Sequence, residues 1–547
     1  MSSLSLFNQL WNGLTPSSPV VMTMYGPVEG TLDQSRSGEN FYHFKGIPYA
    51  KPPVGDLRFK APQPPEKWKE VKKTKMNQIF CLQMMTVMFP HLRSAMPPMG
   101  SEDCLHLSVA TRSLSPKTKR PVLVYFHGGA FIALSGPNIW TPAFLMDSDQ
   151  VVVMVNYRLS MLGFMSFEDD VVPGNMGLKD QNLALRWVRD NIKNFGGDLN
   201  RVTIIGESAG AASVHYHTLS PMSKGLFHQV IPLSGTAYAT WAYAYPGDAR
   251  ALAFQFAKHV GCRGANSSVL VDCMKKISAY NLVRSTVNFF GIWDLEPSGH
   301  IGPVFEKKRP GSFAPSSTKK WKPISVPMLV GVTNGEGLLK TIFYKSPIKS
   351  KSWHWISKNW DDIMAFSLRF RYNPRYKEIT KNMRDYWFAG RNELRDTDLG
   401  NFTDLYSIAA MVSPLMRMVE EAKSKVYLFN FNYLGESSPS TWINDPSLSK
   451  MTFHAETLVY VMRSILYPAH RGQDLEISKN LTRMITNFVK FGDPTPESGM
   501  WKPFNNETYD ALLIDNNGTR MVSGGLPEDV KYWRSLCAFE KFFGCTV

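Results

Sequence analysis

A chain of 547 residues, 44% hydrophobic and 12% aromatic, has enough apolar mass to bury a large core, which excludes global disorder. Its length suits two or three ordinary domains or one large α/β sheet with insertions, so length alone does not choose. The formal charge of +15 would suit a polyanionic partner only if the basic residues clustered; the densest groups, Lys72-Lys73 with Lys75, Lys307-Lys308-Arg309, Lys319-Lys320 with Lys322, and Lys345 to Lys351, are scattered among Pro, Ser and Trp like solvated loops, which argues against nucleic acid.

Residues 1–19 form a leader in which Leu4, Phe7, Trp11 and Leu14 fall at helical spacing. Residues 1–15 are expected to be amphipathic, either packed on the body or in weak, reversible contact with a membrane surface, although the segment carries no Lys or Arg to attract headgroups. The leader lacks the basic and apolar regions of a signal peptide, which predicts an intracellular protein, and no stretch is long and apolar enough to span a bilayer.

Residues 20–26 and 30–34 predict a small hairpin, followed by a loop-rich stretch holding Pro48, Pro52, Pro53, Pro62, Pro64 and Pro65. Short, nearly continuous apolar runs at 122–126, 151–155, 202–205, 328–332 and 426–431 have the composition of strands buried on both faces. Helical patterns lie at 183–195, 209–219 and 249–260. This alternation predicts an α/β fold with a large, mostly parallel central sheet flanked by helices. With no internal repeat, low-complexity tract or linker, residues 20–547 are expected to form a single domain.

Six cysteines at 81, 104, 262, 273, 537 and 545 fall as sequence-local pairs without the close C-x-x-C spacing of a zinc or redox site. Five N-x-S/T sequons, at Asn266, Asn401, Asn480, Asn506 and Asn517, favour secretion as the alternative to an intracellular location.

The chemistry is carried by Gly206-Glu207-Ser208-Ala209-Gly210, a G-x-S-x-G pentapeptide between an expected strand and an expected helix. The glycines relieve a strained turn that lifts the Ser208 hydroxyl above the sheet. After the run 122–126 comes His127-Gly128-Gly129-Ala130-Phe131, a loop suited to aiming backbone N–H groups at an oxygen that becomes negative when Ser208 attacks an ester carbonyl. Gly129, Ala130 and Ala209 are the expected oxyanion donors. A nucleophilic serine also needs a base and an acid that orients it, and from the residues alone His354, His454 and His470 stay open as the base.

Together with Ser101-Glu102-Asp103-Cys104-Leu105 and Asn156-Tyr157-Arg158-Leu159, these motifs resemble the carboxylesterase and cholinesterase family (type-B carboxylesterases), from about residue 20 onward. The resemblance implies an α/β-hydrolase fold and a serine carboxylesterase that works without cofactor or metal, in which Ser208, Glu336 and His454 form the triad. Here Glu336 lies in Asn334-Gly335-Glu336-Gly337 and His454 in His454-Ala455-Glu456. Where the family often has Gly and then an acidic pair after this histidine, the chain has Ala455 and Thr457, and the alanine, like G-E-S-A-G, resembles the insect α-esterase subgroup. The resemblance also pairs Cys81 with Cys104, Cys262 with Cys273, Arg58 with Glu102 and Arg158 with Asp180, leaving Cys537 and Cys545 without a pattern.

Small-molecule esters are thus the expected substrates, and organophosphates and carbamates the expected inhibitors. A lipase, a hormone-specific esterase or a non-catalytic adhesion relative is the alternative. Cholinesterases carry a tryptophan between the first two cysteines that holds a quaternary ammonium; the loop here has none and instead holds Met84, Met85, Met88, Met96 and Met99.

Overall fold

The apolar runs lie at the centre of an 11-stranded sheet. The computed structural model describes residues 18–76, 79–85, 96–115, 117, 119–289, 301–314, 323–345, 353–442 and 448–537. The leader through residue 17, Met88 and Cys545 therefore lie outside the described residues.

In chain order the sheet is built from β1 (Thr31–Gln34), β2 (Asn40–Pro48), β3 (His106–Thr111), β4 (Arg120–Phe126), β5 (Val151–Val155), β6 (Gly197–Glu207), β7 (Gln229–Leu233), β8 (Met328–Thr333), β9 (Val426–Phe431), β10 (Ala511–Asp515) and β11 (Gly518–Val522). Across the sheet they run β11-β10-β9-β8-β7-β6-β4-β5-β3-β2-β1. Neighbours from β10 to β5 are parallel, while β11 on one side and β3, β2 and β1 on the other attach antiparallel.

Both faces of the central strands are covered, which is why their sequences are apolar throughout rather than alternating. Val122, Val124 and Phe126 of β4 enter one core, while Leu123 and Tyr125 enter the other. Val151, Val153 and Val155 of β5 divide from Val152 and Met154 in the same way, as the two-residue period of a strand requires. Helix α1 (Met176–Asn191) begins earlier than its apolar period suggests and ends in a 3-10 turn, Ile192–Phe195. Helix α2 (Ala209–Leu219) packs on β6 and β7 and contributes Ala212, Val214 and Tyr216 to the first core. The second core is closed by α5 (Gly472–Phe491), through Leu481, Ile485 and Phe488; α3 (Asp248–His259) adds Leu252, Ala253 and Phe256 to the first core, and α4 (Glu456–Val461) adds Leu458 and Val461 to the second.

The hairpin expected from residues 20–34 does not form. Val20–Met22 pairs instead with Pro27–Glu29, which also pairs with Lys72–Lys73, in a separate three-stranded sheet, and β1 pairs with β2 at the edge of the large sheet. The chain crosses between sheets at Gly30, where an added Cβ would lie 2.8 Å from His43 O. Lys72 and Lys73 are exposed as expected, but on a strand rather than a loop.

The implied pairings are present. Disulfides join Cys81 to Cys104 and Cys262 to Cys273. Arg158 grips Asp180 with two hydrogen bonds of 2.8 and 2.7 Å, both side chains buried, and Arg58 grips Glu102 with two of 2.7 Å. Among the described residues no helix is long and apolar enough to cross a membrane.

Candidate active site

Ser208 stands between the end of β6 and the start of α2 with φ 58° and ψ −122°, a backbone conformation that side-chain-bearing residues avoid. Its N–H donates to Leu233 O of β7 at 2.9 Å and its carbonyl accepts from Ala212 N at 2.9 Å, so strand and helix hold the turn from both sides. The flanking glycines are steric necessities. A Cβ on Gly206 would lie 2.3 Å from the Gly210 carbonyl, and one on Gly210 would lie 2.1 Å from Phe126 O of β4.

The loop after β4 lies directly against this turn: a Cβ on Gly128 would meet Glu207 Oε2 at 2.7 Å and Ser208 Cβ at 3.1 Å. His127 is buried, stacks on Tyr157 at 4.4 Å, and receives the Tyr157 hydroxyl proton on its carbonyl at 2.7 Å. Burial pushes its imidazole down to about 4, so it is a neutral support and not a proton carrier at pH 7. Gly129 and Ala130 follow at φ 100° and 54°. Among the described residues, no protein acceptor takes the N–H of Gly129, Ala130 or Ala209. The loop is pinned further on by the buried side chain of Gln83, whose amide donates to Leu134 O at 3.0 Å and accepts from Leu134 N at 2.6 Å.

The acid and the base come from other loops at the same end of the sheet. Glu336 lies in the loop after β8; its Oε1 accepts from Thr333 N at 2.9 Å and its Oε2 lies 2.5 Å from His454 Nδ1. His454 precedes α4 and is buried. Its Nε2 faces Glu207 Oε1 at 3.2 Å, and among the described residues no hydrogen bond joins it to Ser208. The other two histidines lie elsewhere. His354 is exposed and paired with Glu393, while His470 stacks on Tyr460 and bonds Val459 O.

The pattern of the Carboxylesterase family matches residues 17–533. The chain belongs to the carboxylesterase family. It is a carboxylic ester hydrolase with an α/β-hydrolase fold. It is 46% identical over 557 residues to esterase B1 of Culex pipiens, covering 96% of this chain and 99% of that one. It is 32% identical over 554 residues to juvenile hormone esterase of Tribolium castaneum, covering 95% and 92%. The crystal structure of juvenile hormone esterase from Manduca sexta, with OTFP covalently attached, superposes with a TM-score of 0.83 at 27% identity, covering 95% of this chain and 99% of that one.

In this carboxylesterase three ionisable side chains, Glu207, Glu336 and His454, share one buried site. Burial opposes charge on the His454 imidazole, but Glu207 and Glu336 outweigh it and push it up to about 9. Burial pushes Glu207 up as well; His454 pulls it down and Glu336 adds to the rise, leaving it at about 7. Glu207 sits inside the G-x-S-x-G pentapeptide, and nothing in the sequence pattern gave it a partner. Its position at the last residue of β6 was the available signal, since the turn that carries Ser208 also places the preceding side chain at the sheet end. Met84 is buried in the first core and Met99 lies at the surface, so the methionines after Cys81 do not form one lining.

Proposed function

We propose that Ser208 is the nucleophile, His454 its general base, Glu336 the acid that orients the base, and the N–H groups of Gly129, Ala130 and Ala209 the oxyanion donors. The observation that carries this reading is the 2.5 Å contact between Glu336 and His454, 118 residues apart in sequence, at the same end of the sheet as the Ser208 turn. His454 Nε2 takes the hydroxyl proton as Ser208 Oγ bonds to the ester carbonyl carbon. The negative oxygen settles among the three N–H groups, and the protonated imidazole returns the proton to the departing alcohol. Water then attacks the acyl-enzyme with the same base and frees the acid. Glu336 holds the ring through Nδ1.

The substrates we propose are small, neutral carboxylic esters, with organophosphates and carbamates as inhibitors that modify Ser208. The covalently attached OTFP of the Manduca sexta enzyme supports a nucleophile that forms stable adducts. A hormone-directed esterase is the second reading, favoured by the similarity to juvenile hormone esterases. Residues 1–15 would add weak peripheral membrane contact, to be tested by liposome flotation with and without them. The two disulfides and the exposed sequon asparagines support the secreted alternative over an intracellular location. Ser208→Ala is the deciding experiment: it should abolish ester turnover and fluorophosphonate labelling while the protein stays folded, and retained labelling would remove Ser208 from the role.

A further inference from the structure

The two groups that must meet most closely in the proposed site stand on separate loops. β8 and β9 are neighbours, with Thr333 paired to Phe431, so the sheet brings the root of the Glu336 loop beside the end of β9. The histidine loop arrives from elsewhere in the chain and needs its own attachment. That attachment is a reciprocal contact between Asn334 and Thr452, each two residues before the functional side chain of its loop. Asn334 Oδ1 accepts from Thr452 N at 2.8 Å and lies 2.6 Å from Thr452 Oγ1. Asn334 N in turn donates to Thr452 Oγ1 at 3.4 Å. The same hydroxyl lies 2.9 Å from Phe431 O at the end of β9, so its one proton serves either acceptor and Thr452 touches both loops and the sheet. Beside this contact the backbones of Gly335 and Phe453 pair as a parallel bridge. The approach demands glycine, since a Cβ on Gly335 would lie 2.5 Å from Thr452 O.

We propose that Asn334 and Thr452 form a latch that sets the separation and orientation of Glu336 and His454, so that both are positioning residues for ester hydrolysis. The proposal rests on the assignment of Glu336 and His454 given above. An amide is the side chain that suits position 334. Both neighbours of Oδ1 are donors from a neutral residue, so a carboxylate there would add a second negative charge two residues from Glu336 without gaining a cation. A latch of this kind acts on rate more than on binding, because the ester meets Ser208 and the oxyanion donors, not Asn334 or Thr452. Displacing a reacting group by about 1 Å costs on the order of 100-fold in rate.

The test is steady-state and single-turnover hydrolysis of p-nitrophenyl butyrate by Thr452→Val, Thr452→Ser, Asn334→Ala, Asn334→Asp and the Asn334→Ala/Thr452→Val double variant, with thermal unfolding of each. Thr452→Val and Asn334→Ala should each lower kcat and the acylation rate about tenfold or more, with KM within about twofold. Thr452→Ser, which keeps the hydroxyl, should stay within about threefold of the parent. The double variant should be no slower than the slower single, because both changes open the same contact. Asn334→Asp should move the acid limb of kcat/KM to higher pH, a result that loss of stability alone does not produce; this arm decides the matter if Thr452→Val fails to fold. Kcat within twofold of the parent in both single variants, or equal losses in Thr452→Ser and Thr452→Val, would overturn the latch. His454→Ala run alongside separates the two readings: if it is inactive while the latch variants are normal, only the latch has failed, and if it retains turnover the assignment of the base has failed.

Discussion

Replacing Glu207 by Gln keeps the shape beside His454 and removes the charge, which makes it a direct test of the electrostatics of the site. At an effective dielectric constant of about 20, a full negative charge 3.2 Å from the imidazole stabilises its protonated form by about 5 kcal/mol, equivalent to nearly 4 pH units. The carboxylate is itself held near 7, so it is only partly ionised over the working range and the observable effect is a fraction of that figure. In the proposed mechanism His454 must be neutral to accept the Ser208 proton, so the acid limb of kcat/KM reports its ionisation in the free enzyme. Removing a neighbouring negative charge lowers that value, so in Glu207→Gln the limb should move to lower pH by roughly one unit or more. The assay is kcat/KM for an uncharged butyrate ester from pH 5 to 10, and an unmoved limb, or one displaced to higher pH, would refute the reasoning. Stability carries the same sign. His454 is raised from 6.5 to about 9, so its contribution is complete below 6.5 and is lost as pH rises through 9. Glu207 is raised from 4.5 to about 7, so its contribution is complete below 4.5 and is lost through 7. Thermal stability of the parent should fall as pH rises between about 6 and 9, and that of Glu207→Gln should fall less.

Ala130→Val forces a β-branched residue into a backbone at φ 54° and shifts the N–H proposed as an oxyanion donor; turnover should fall by roughly 10²–10³ with the fold retained, and normal turnover would remove Ala130 from the site. Arg158→Met strands Asp180 as an unpaired buried carboxylate and should cost about 3–5 kcal/mol in urea unfolding, far more than an exposed Arg→Met. Choline esters should be poorer substrates than neutral esters of the same acid, since the loop between Cys81 and Cys104 holds no tryptophan to supply the roughly 0.5–2 kcal/mol of a cation–π contact. Comparable kcat/KM for butyrylcholine and an uncharged butyrate would overturn this.

The central strands were legible because burial on both faces leaves continuous apolar runs such as Val151–Val155, and a run of that kind needs no partner to be recognised. Ser208 was legible for a related reason: strand, turn and helix are contiguous in sequence, so the pentapeptide and its context are read together. Glu336 and His454 were not. They meet across 118 residues, and the residues alone left His354 and His470 standing beside His454 until the family resemblance chose. The failed hairpin has the same origin. Alternation in residues 20–34 shows that strands form but not which sheet each joins, and Pro27–Glu29, too short to show a period, takes the place assigned to residues 30–34. Glu207, Gln83 and Thr452 stayed invisible because each acts on a segment distant in sequence, through a contact that only the folded loops define.

The loops that form the site share a backbone property that the sheet beneath them lacks. Ala130, Phe131, Leu134, Ser208, Ser234 and Ala455 all carry side chains at positive φ, between 53° and 82°, and all lie on loops that follow β4, β6 and β7 or precede α4. Each such residue costs on the order of 1–2 kcal/mol relative to the right-handed conformation. The surrounding structure offsets the cost with specific hydrogen bonds: Gln83 holds both backbone groups of Leu134, Leu233 O takes the N–H of Ser208, and Gly331 O takes the N–H of Ser234. For Ala455, at φ 71°, the fixing contacts are those of its neighbours. Phe453 N donates to Glu456 Oε2 at 3.2 Å, Glu456 N donates to Phe453 O at 3.0 Å, and Thr452 is tied to Asn334. Where the family often has glycine, this chain thus accepts a strained alanine beside His454 and surrounds it with hydrogen bonds. A mobile glycine would let the His454 ring sample several positions; a hindered residue fixed on both sides holds it at one, facing Glu336.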